Sequence, residues 1–443
     1  MPANKPNGVS HTASTMPLEE LSWSITRNGS IISHHLAASS HPQPSFKSDA
    51  PSTLLPKDSP ESVVQARENL ISACLELLHL AIGPSDFLPN LATSYQYISC
   101  LSWLCKYGIF HLVPLDGAIS YDELAAGAHV PAQRLKSVIR MAMTTGLFRE
   151  LGDGTTVGHT ATSALLARDA DVHAYAAYMC ARSVPGAMHM AAAHERWGPD
   201  STRTYETAFN VAFDTDLPFF EYLAKDKVWM GEFAGYMRNM RSSEGVDLKH
   251  LISGFRWQDL PNGGTVVDVG GSTGTSAVAL AKTFSHLSFV VQDLPPNPEN
   301  GQKAVSESLP PDVASRLTFL PHDFTNPQPI QGADAYLLRM ILHDWPDAEA
   351  IKILCHLVTA MDEVKSRLLI MDVVLPRAGS VPVSVERLAR VKDLTMIQAF
   401  NSKERDLDDW TGLLHAADPR LRIAGRIQPP GSSMDILEVV LEP

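Results

Sequence analysis

The sequence predicts an α/β protein: a doubly wound, mostly parallel sheet in the C-terminal half, preceded by a mainly helical region containing a winged-helix unit. Two patterns carry this. From Gly263 onward, short apolar runs alternate with helical stretches, as strands joined by crossover helices do. Between Ser120 and Val157 the chain reads helix, turn, helix, hairpin. A length of 443 residues fits two domains, because single cores stop growing near ~250–300 residues. With 44% hydrophobic and 19% charged residues, most of the chain can bury a core, which excludes a wholly disordered or fibrous protein.

Residues 1–16 and 40–60 are rich in Pro, Ser, Asn and His without apolar periodicity and are expected to be mobile. Between them a helix can start at Leu18, although Gly29 and Ser30 weaken it, and its apolar side calls for a cover such as a second subunit. Val63, Val64, Leu70, Ile71, Leu75, Leu78 and Ile82 recur at helical spacing and stop at Gly83-Pro84. Leu91 to Tyr107 is apolar over most of its circumference, which predicts a buried helix.

Ser120-Tyr-Asp-Glu123 is a capping box, in which the Ser oxygen and the Glu carboxylate satisfy free N–H groups at a helix start. A short helix (Tyr121–Ala126), a turn at Gly127 and a longer helix from Pro131 to about Thr145 follow. Gly152-Asp153-Gly154 then joins two short strands. Such a unit can place Gln133, Arg134, Lys136 and Arg140 in a DNA groove, or serve as a scaffold with those residues in solvent. Forty-nine acidic against 36 basic residues leave a net charge of −13, which favours the scaffold and argues against nucleic acid as a partner.

The strands expected are Thr265–Val269, Ser288–Gln292, Leu317–Leu320, Ala335–Arg339 and Arg367–Val373, with Leu421–Ile427 and Asp435–Leu441 closing the chain as an antiparallel hairpin. Open sheets of this kind bind ligands beyond the carboxyl ends of their strands. The first such end carries Asp268-Val269-Gly270-Gly271-Ser272-Thr273-Gly274, where glycines let the backbone turn and approach a ligand. A dinucleotide fingerprint requires glycine where Ser272 stands, and Asp268 would repel a pyrophosphate but suits a cationic ligand. Asp293 closes the second strand, where a carboxylate can accept both hydroxyls of a ribose. Asp323 and Phe324 close the third, offering an acceptor for an adenine amine and a face for its ring.

The fourth strand end reads Leu338-Arg339-Met340-Ile341-Leu342-His343-Asp344-Trp345-Pro346-Asp347. Pro346, with Asp344 and Asp347 around it, marks a helix start. His343 thus falls at a strand-to-helix corner beside the ligand crevice, where an imidazole with a pKa near ~6.5 can act as a general base. Five scattered cysteines (Cys74, Cys100, Cys105, Cys180 and Cys355) form neither a disulfide framework nor a zinc pattern and fit a reducing compartment. No apolar run approaches the ~18–20 residues that span a bilayer, and no signal peptide opens the chain. A cytoplasmic enzyme without metal or membrane association is expected.

Together these segments, with Ser402-Lys403-Glu404-Arg405, resemble the plant- and fungal-type small-molecule O-methyltransferases that use S-adenosylmethionine, and most of all fungal enzymes acting on phenolic polyketides. The resemblance covers the chain from about residue 61. It implies a Rossmann-like class I methyltransferase sheet over 231–443, a winged-helix dimerisation domain over 61–230 and an arm over 1–60. It makes Gly270, Gly271 and Gly274 the methionine-side cradle, Asp293 the ribose ligand, Asp323 and Phe324 the adenine contacts, and Arg339 a further cofactor contact, with Asp268 and Leu294 also in the cofactor site. It makes His343 the base, flanked by Glu404 and by Asp372, which stands where plant relatives carry Glu. Its intertwined homodimer would explain the apolar N-terminal helices. Phe209, Phe213, Phe219, Phe220, Met237 and Met340 are candidates to line a small aromatic substrate, since Met adapts to flat ligands; they are equally candidates for core.

The reaction implied is in-line attack of a phenolate oxygen on the sulfonium methyl group. Three rivals are a cyclase of the same fold that keeps the cofactor, a winged-helix regulator, and a nucleotide-dependent oxidoreductase. Intact His343-Asp344 stands against the first, and Asp268 with Ser272 against the last.

Overall fold

The computed structural model describes residues 18–199 and 201–442. The mobility expected for residues 1–16 lies outside the described residues. Two compact units emerge, one of Thr53–Tyr95 and Pro376–Leu388 with the described residues up to Ser45, the other of Phe46–Ser52, Gln96–Leu375 and the chain from Ala389 onward.

The larger unit is organised by seven strands: β1 (Thr265–Val269), β2 (Ser288–Asp293), β3 (Leu317–Pro321), β4 (Ala335–Arg339), β5 (Arg367–Asp372), β6 (Leu421–Ile427) and β7 (Asp435–Leu441). Their spatial order is β3-β2-β1-β4-β5-β7-β6. The first five pair in parallel, and β7 runs antiparallel between β5 and β6. Continuous apolar runs make this possible. Val266 and Val267, Leu337 and Leu338, and Leu368 to Met371 are all fully buried, as both faces of a parallel sheet are covered by helices. Alternation sorts them: Val267 and Leu338 join Leu354, Trp410 and Val439 on one face, while Val266 and Leu337 join Leu280, Phe289 and Ile436 on the other. The strand order reverses between β1 and β4, so their carboxyl ends flank the crevice where such sheets take ligands.

The same unit contains the winged helix. Ser120 caps Tyr121–Ala128 with Glu123 in the expected capping box, and Ala132–Met143 follows. Ile119–Ser120, Arg149–Leu151 and Thr156–Gly158 form a three-stranded antiparallel sheet. Leu124, Leu135, Ile139, Phe148 and Val157 fill its core. Arg140 is bound to Glu150 at 2.7 Å, and the Lys136 ammonium lies 5.1 Å from the centre of the Tyr121 ring. Two of the four residues considered for a DNA groove are therefore engaged within the unit.

In the smaller unit, α1 (Leu18–Ala38) runs unbroken through Gly29. Its Ile32 and Leu36 pack with Ala66 and Leu70 of α2 (Glu61–Ile82). The chain itself thus supplies a cover that the sequence left to a second subunit. A buried helix was expected over Leu91–Tyr107; in α3 (Phe87–Lys106) Cys100 and Leu104 are indeed buried, in the winged-helix core of the larger unit, whereas Phe87, Leu88, Leu91 and Tyr95 at its N-terminal end are 51–70% exposed in the single chain. An apolar circumference shows that a helix needs covering, not that its own chain covers it. No helix among the described residues is long and apolar enough to cross a membrane.

Candidate active site

The chain leaves β4 through Met340, which adopts a left-handed φ of +56°. It then makes one 3₁₀ turn, Leu342–Asp344, before Pro346 opens the helix Asp347–Ala360. Non-glycine residues in this backbone region cost energy and gather at functional sites. His343 sits in that turn, 9% exposed. Its Nδ1 lies 2.9 Å from Oε1 of Glu404, itself 1% exposed. Its Nε2 lies 3.6 Å from Oδ1 of Asp344. Asp344, read in the sequence as a helix-start charge, is instead a carboxylate beside the imidazole. Burial pushes its pKa up to about 6, against the pull of His343.

Asp372 ends β5, and both its oxygens are buried without a hydrogen-bond partner, so it makes no direct bond to His343. Burial raises its pKa to about 7, opposed by His343 and reinforced by Glu404 and Asp344. Burial also works against the charged form of His343. The carboxylates of Glu404, Asp344 and Asp372 outweigh it and raise the imidazole to about 10.

The glycine loop faces this corner from β1. Asp268 is 2% exposed, its Oδ2 has no partner, and burial raises its pKa to about 6 against the pull of Arg339. A side chain on Gly271 would bring its first carbon within 2.6 Å of the Asp268 carboxyl group. At Gly274 φ is +82°, and the same carbon would meet the Phe319 ring at 2.8 Å. Ser272, also left-handed at +55°, donates its N–H to Asp293 at 2.8 Å. Asp293 further accepts from Leu294 N–H and the Asn297 side chain, both at 2.8 Å. Three of roughly four acceptor positions are thus filled, so two ribose hydroxyls must displace at least one of these donors.

Asp323 holds Thr325 through one oxygen, at 2.9 Å to its N–H and 2.7 Å to its hydroxyl. Phe324 stands edge-on to Trp345 and close over Gly270. Leu294 is 55% exposed. Arg339 donates to the Val246 carbonyl at 2.6 Å while its Nε is buried without a partner. Burial and the neighbouring Arg241 push its pKa down. A buried acid and a buried base, each with one polar atom left without a partner, beside a turn with no room for a side chain at Gly271 or Gly274, fit a zwitterionic amino-acid group of the kind S-adenosylmethionine carries.

Phe209, Phe213, Phe219 and Phe220 form one aromatic cluster. Phe219 and Phe220 reach Phe400 at 5.2 and 5.4 Å, close in sequence to Glu404. Phe209 and Phe219 are fully packed, whereas Phe220 is exposed. Met237 is half-buried, and Met340 packs against the sheet. None of the six lines the cavity of about 270 Å³ bounded by Met190, His194, Trp197, Glu206, Ile397 and Asn401. Sequence reasoning used Asp344 as a helix-start charge and as part of the intact His343-Asp344 pair without placing it against the imidazole, and passed over Arg405, for which adjacency to Glu404 was the available signal, and Arg241, for which there was none. Among the described residues, no group of three or more His, Cys, Asp or Glu is placed to hold a metal ion.

A β3-β2-β1-β4-β5-β7-β6 sheet with a glycine loop after β1, acids closing β2 and β3, and a His–Glu pair beyond β4 defines a small-molecule methyltransferase. The chain belongs to the O-methyltransferase family: residues 188–418 match its O-methyltransferase domain and residues 90–169 its O-methyltransferase dimerisation domain. It is similar to the O-methyltransferase pgmB of Aspergillus terreus, 62% identical over 425 residues that cover 96% of each chain. It is also similar to the O-methyltransferase aurJ of Gibberella zeae, 43% identical over 428 residues, 96% of this chain and 97% of that one. Among solved structures, OxaC in complex with SAH and oxaline matches with a TM-score of 0.71 at 22% identity, and a pericyclic reaction enzyme with 0.71 at 23%; each likeness covers 95% of this chain and 100% of the other. Those two likenesses speak for the fold alone. The enzyme is an S-adenosylmethionine-dependent O-methyltransferase.

Proposed function

We propose that the enzyme methylates a phenolic hydroxyl of a small aromatic polyketide, with His343 as general base. The observation that carries this is the 2.9 Å contact between His343 Nδ1 and Glu404, which leaves Nε2 free of any hydrogen bond. Bound S-adenosylmethionine supplies an electrophilic sulfonium methyl group. The chain's part is to remove the phenol proton and align the oxygen. Glu404 fixes the imidazole tautomer and supports the imidazolium formed when Nε2 takes the proton. Asp268 and Arg339 hold the amino-acid end of the donor, Asp293 and Leu294 its ribose, Asp323 and Phe324 its adenine, and the Gly270-Gly271-Gly274 turn admits it closely. Asp372 adds negative charge on the imidazole, and the aromatic cluster with Met237 and Met340 shapes the acceptor side.

We further assign residues 61–230 to a homodimerising region and 231–443 to catalysis. The exposed apolar side of α3 and the dimerisation-domain match support the first. Five unpaired cysteines support a cytoplasmic location. The test is incubation with labelled S-adenosylmethionine and a panel of polyketide phenols. Labelled methyl ether is expected; conversion of a substrate to an isomer without methyl transfer would replace this reading with a cyclase.

A further inference from the structure

We propose that Arg405 is a positioning residue for methyl transfer, locking the turn that carries His343 against the segment that carries Glu404. This rests on the assignment of His343 as base and Glu404 as its partner.

The side chain of Arg405 is 0% exposed. Its Nη1 donates to the Leu342 carbonyl at 2.8 Å and its Nη2 to the Trp345 carbonyl at 2.9 Å. Those two carbonyls bracket His343 and Asp344. Its Nε and Nη2 also reach Oδ1 of Asp347 at 3.0 and 2.8 Å, and the guanidinium lies 5.3 Å from the centre of the Trp410 ring. The backbone of Arg405 makes a third connection. Its carbonyl accepts from Leu375 N–H at 2.9 Å, and it bridges Val374 in parallel register, just beyond Asp372. One residue therefore joins the segments that carry His343, Glu404 and Asp372.

A general base must be held to about 0.5 Å, and a single 3₁₀ turn after a left-handed Met340 has no helix or strand ladder to do so. The planar guanidinium fork can bind two carbonyls and a carboxylate at once, which a lysine ammonium on a flexible stem cannot. Burying a charge is costly, and packing alone would be served by an apolar side chain, so the directional bonds are what the residue adds. Four of its five N–H donors are committed to protein oxygens, which leaves it acting on the reaction through His343 rather than on the substrate.

The test compares wild type with Arg405→Lys and Asp347→Asn in single-turnover methyl transfer across pH, with cofactor affinity, KM and Tm measured alongside. Asp347 is half-exposed, so its variant keeps the fold if the lysine variant does not. Arg405→Lys is expected to lower kcat by ~10–100-fold, the scale of a misplaced reacting group, with KM and cofactor affinity within about twofold. The pH limb should move to lower pH as His343 loses registry with Glu404. Asp347→Asn should move it the same way with a smaller loss, and guanidinium added to Arg405→Ala should restore part of the rate. A lowered Tm with wild-type kcat and an unmoved limb in both variants would overturn the proposal. Should Arg405→Lys fail to fold, the limb of Asp347→Asn decides alone: shifted supports it, unshifted overturns it. Full activity of His343→Ala would instead overturn the base assignment, whatever the Arg405 variants do.

Discussion

Oδ1 of Asp344 stands 3.6 Å from Nε2 of His343, so the imidazole carries carboxylates at both nitrogens, Glu404 at hydrogen-bond distance and Asp344 just beyond it. Both favour imidazolium, which is why the His343 pKa is raised despite burial. Only the neutral ring can accept the phenol proton. With its pKa above the ordinary value, the neutral fraction grows as pH rises, so single-turnover methyl transfer should climb on the alkaline side of neutrality. Glu404→Gln removes a negative charge from Nδ1, lowers the pKa and should move that limb to lower pH. A profile flat from about pH 6 to 9 in both proteins would contradict this.

Asp293 binds the Ser272 amide as well as its place at the end of β2. Asp293→Ala removes the proposed ribose acceptor and the bond that holds the Ser272 amide. Cofactor binding should weaken by ~1.5–3 kcal/mol, the scale of a hydrogen bond to a charged group. Titration calorimetry showing wild-type affinity would take Asp293 out of the site.

At Gly274 a side chain meets both a left-handed backbone and the Phe319 ring. Gly274→Ala should lose ~1–3 kcal/mol of stability and bind cofactor more weakly. An unchanged melting temperature, with and without cofactor, would show that the loop relaxes around the methyl group.

The exposed Phe87, Leu88, Leu91 and Tyr95 of α3 predict a homodimer, and obligate interfaces of this kind bury over ~2,000 Å². Light scattering should report twice the 48.3 kDa of the chain. A mass of one chain at micromolar concentration would rule the dimer out.

The five parallel strands were legible as largely apolar runs between helical stretches and the antiparallel β6–β7 pair as a closing hairpin, and the ends of all seven erred by no more than one residue. His343, Glu404, Asp293 and Asp323 were singled out by motif position, and the structure brings His343 and Glu404 to 2.9 Å of each other. What the sequence hid is three-dimensional. Left-handed Ser272 and Met340 carry side chains where glycine is the usual signal. Arg405 contacts residues 58–63 positions away, a separation no local pattern encodes. The exposure of the N-terminal end of α3 was missed because apolar periodicity is identical for a helix buried in its own chain and one awaiting another.

The role of His343 is tested most directly by single-turnover methyl transfer with His343→Ala, beside a separate cofactor titration. The variant should bind cofactor as wild type does and transfer the methyl group ~10²–10⁴-fold more slowly, the span of a lost general base. Near-normal methylation by His343→Ala would contradict the account.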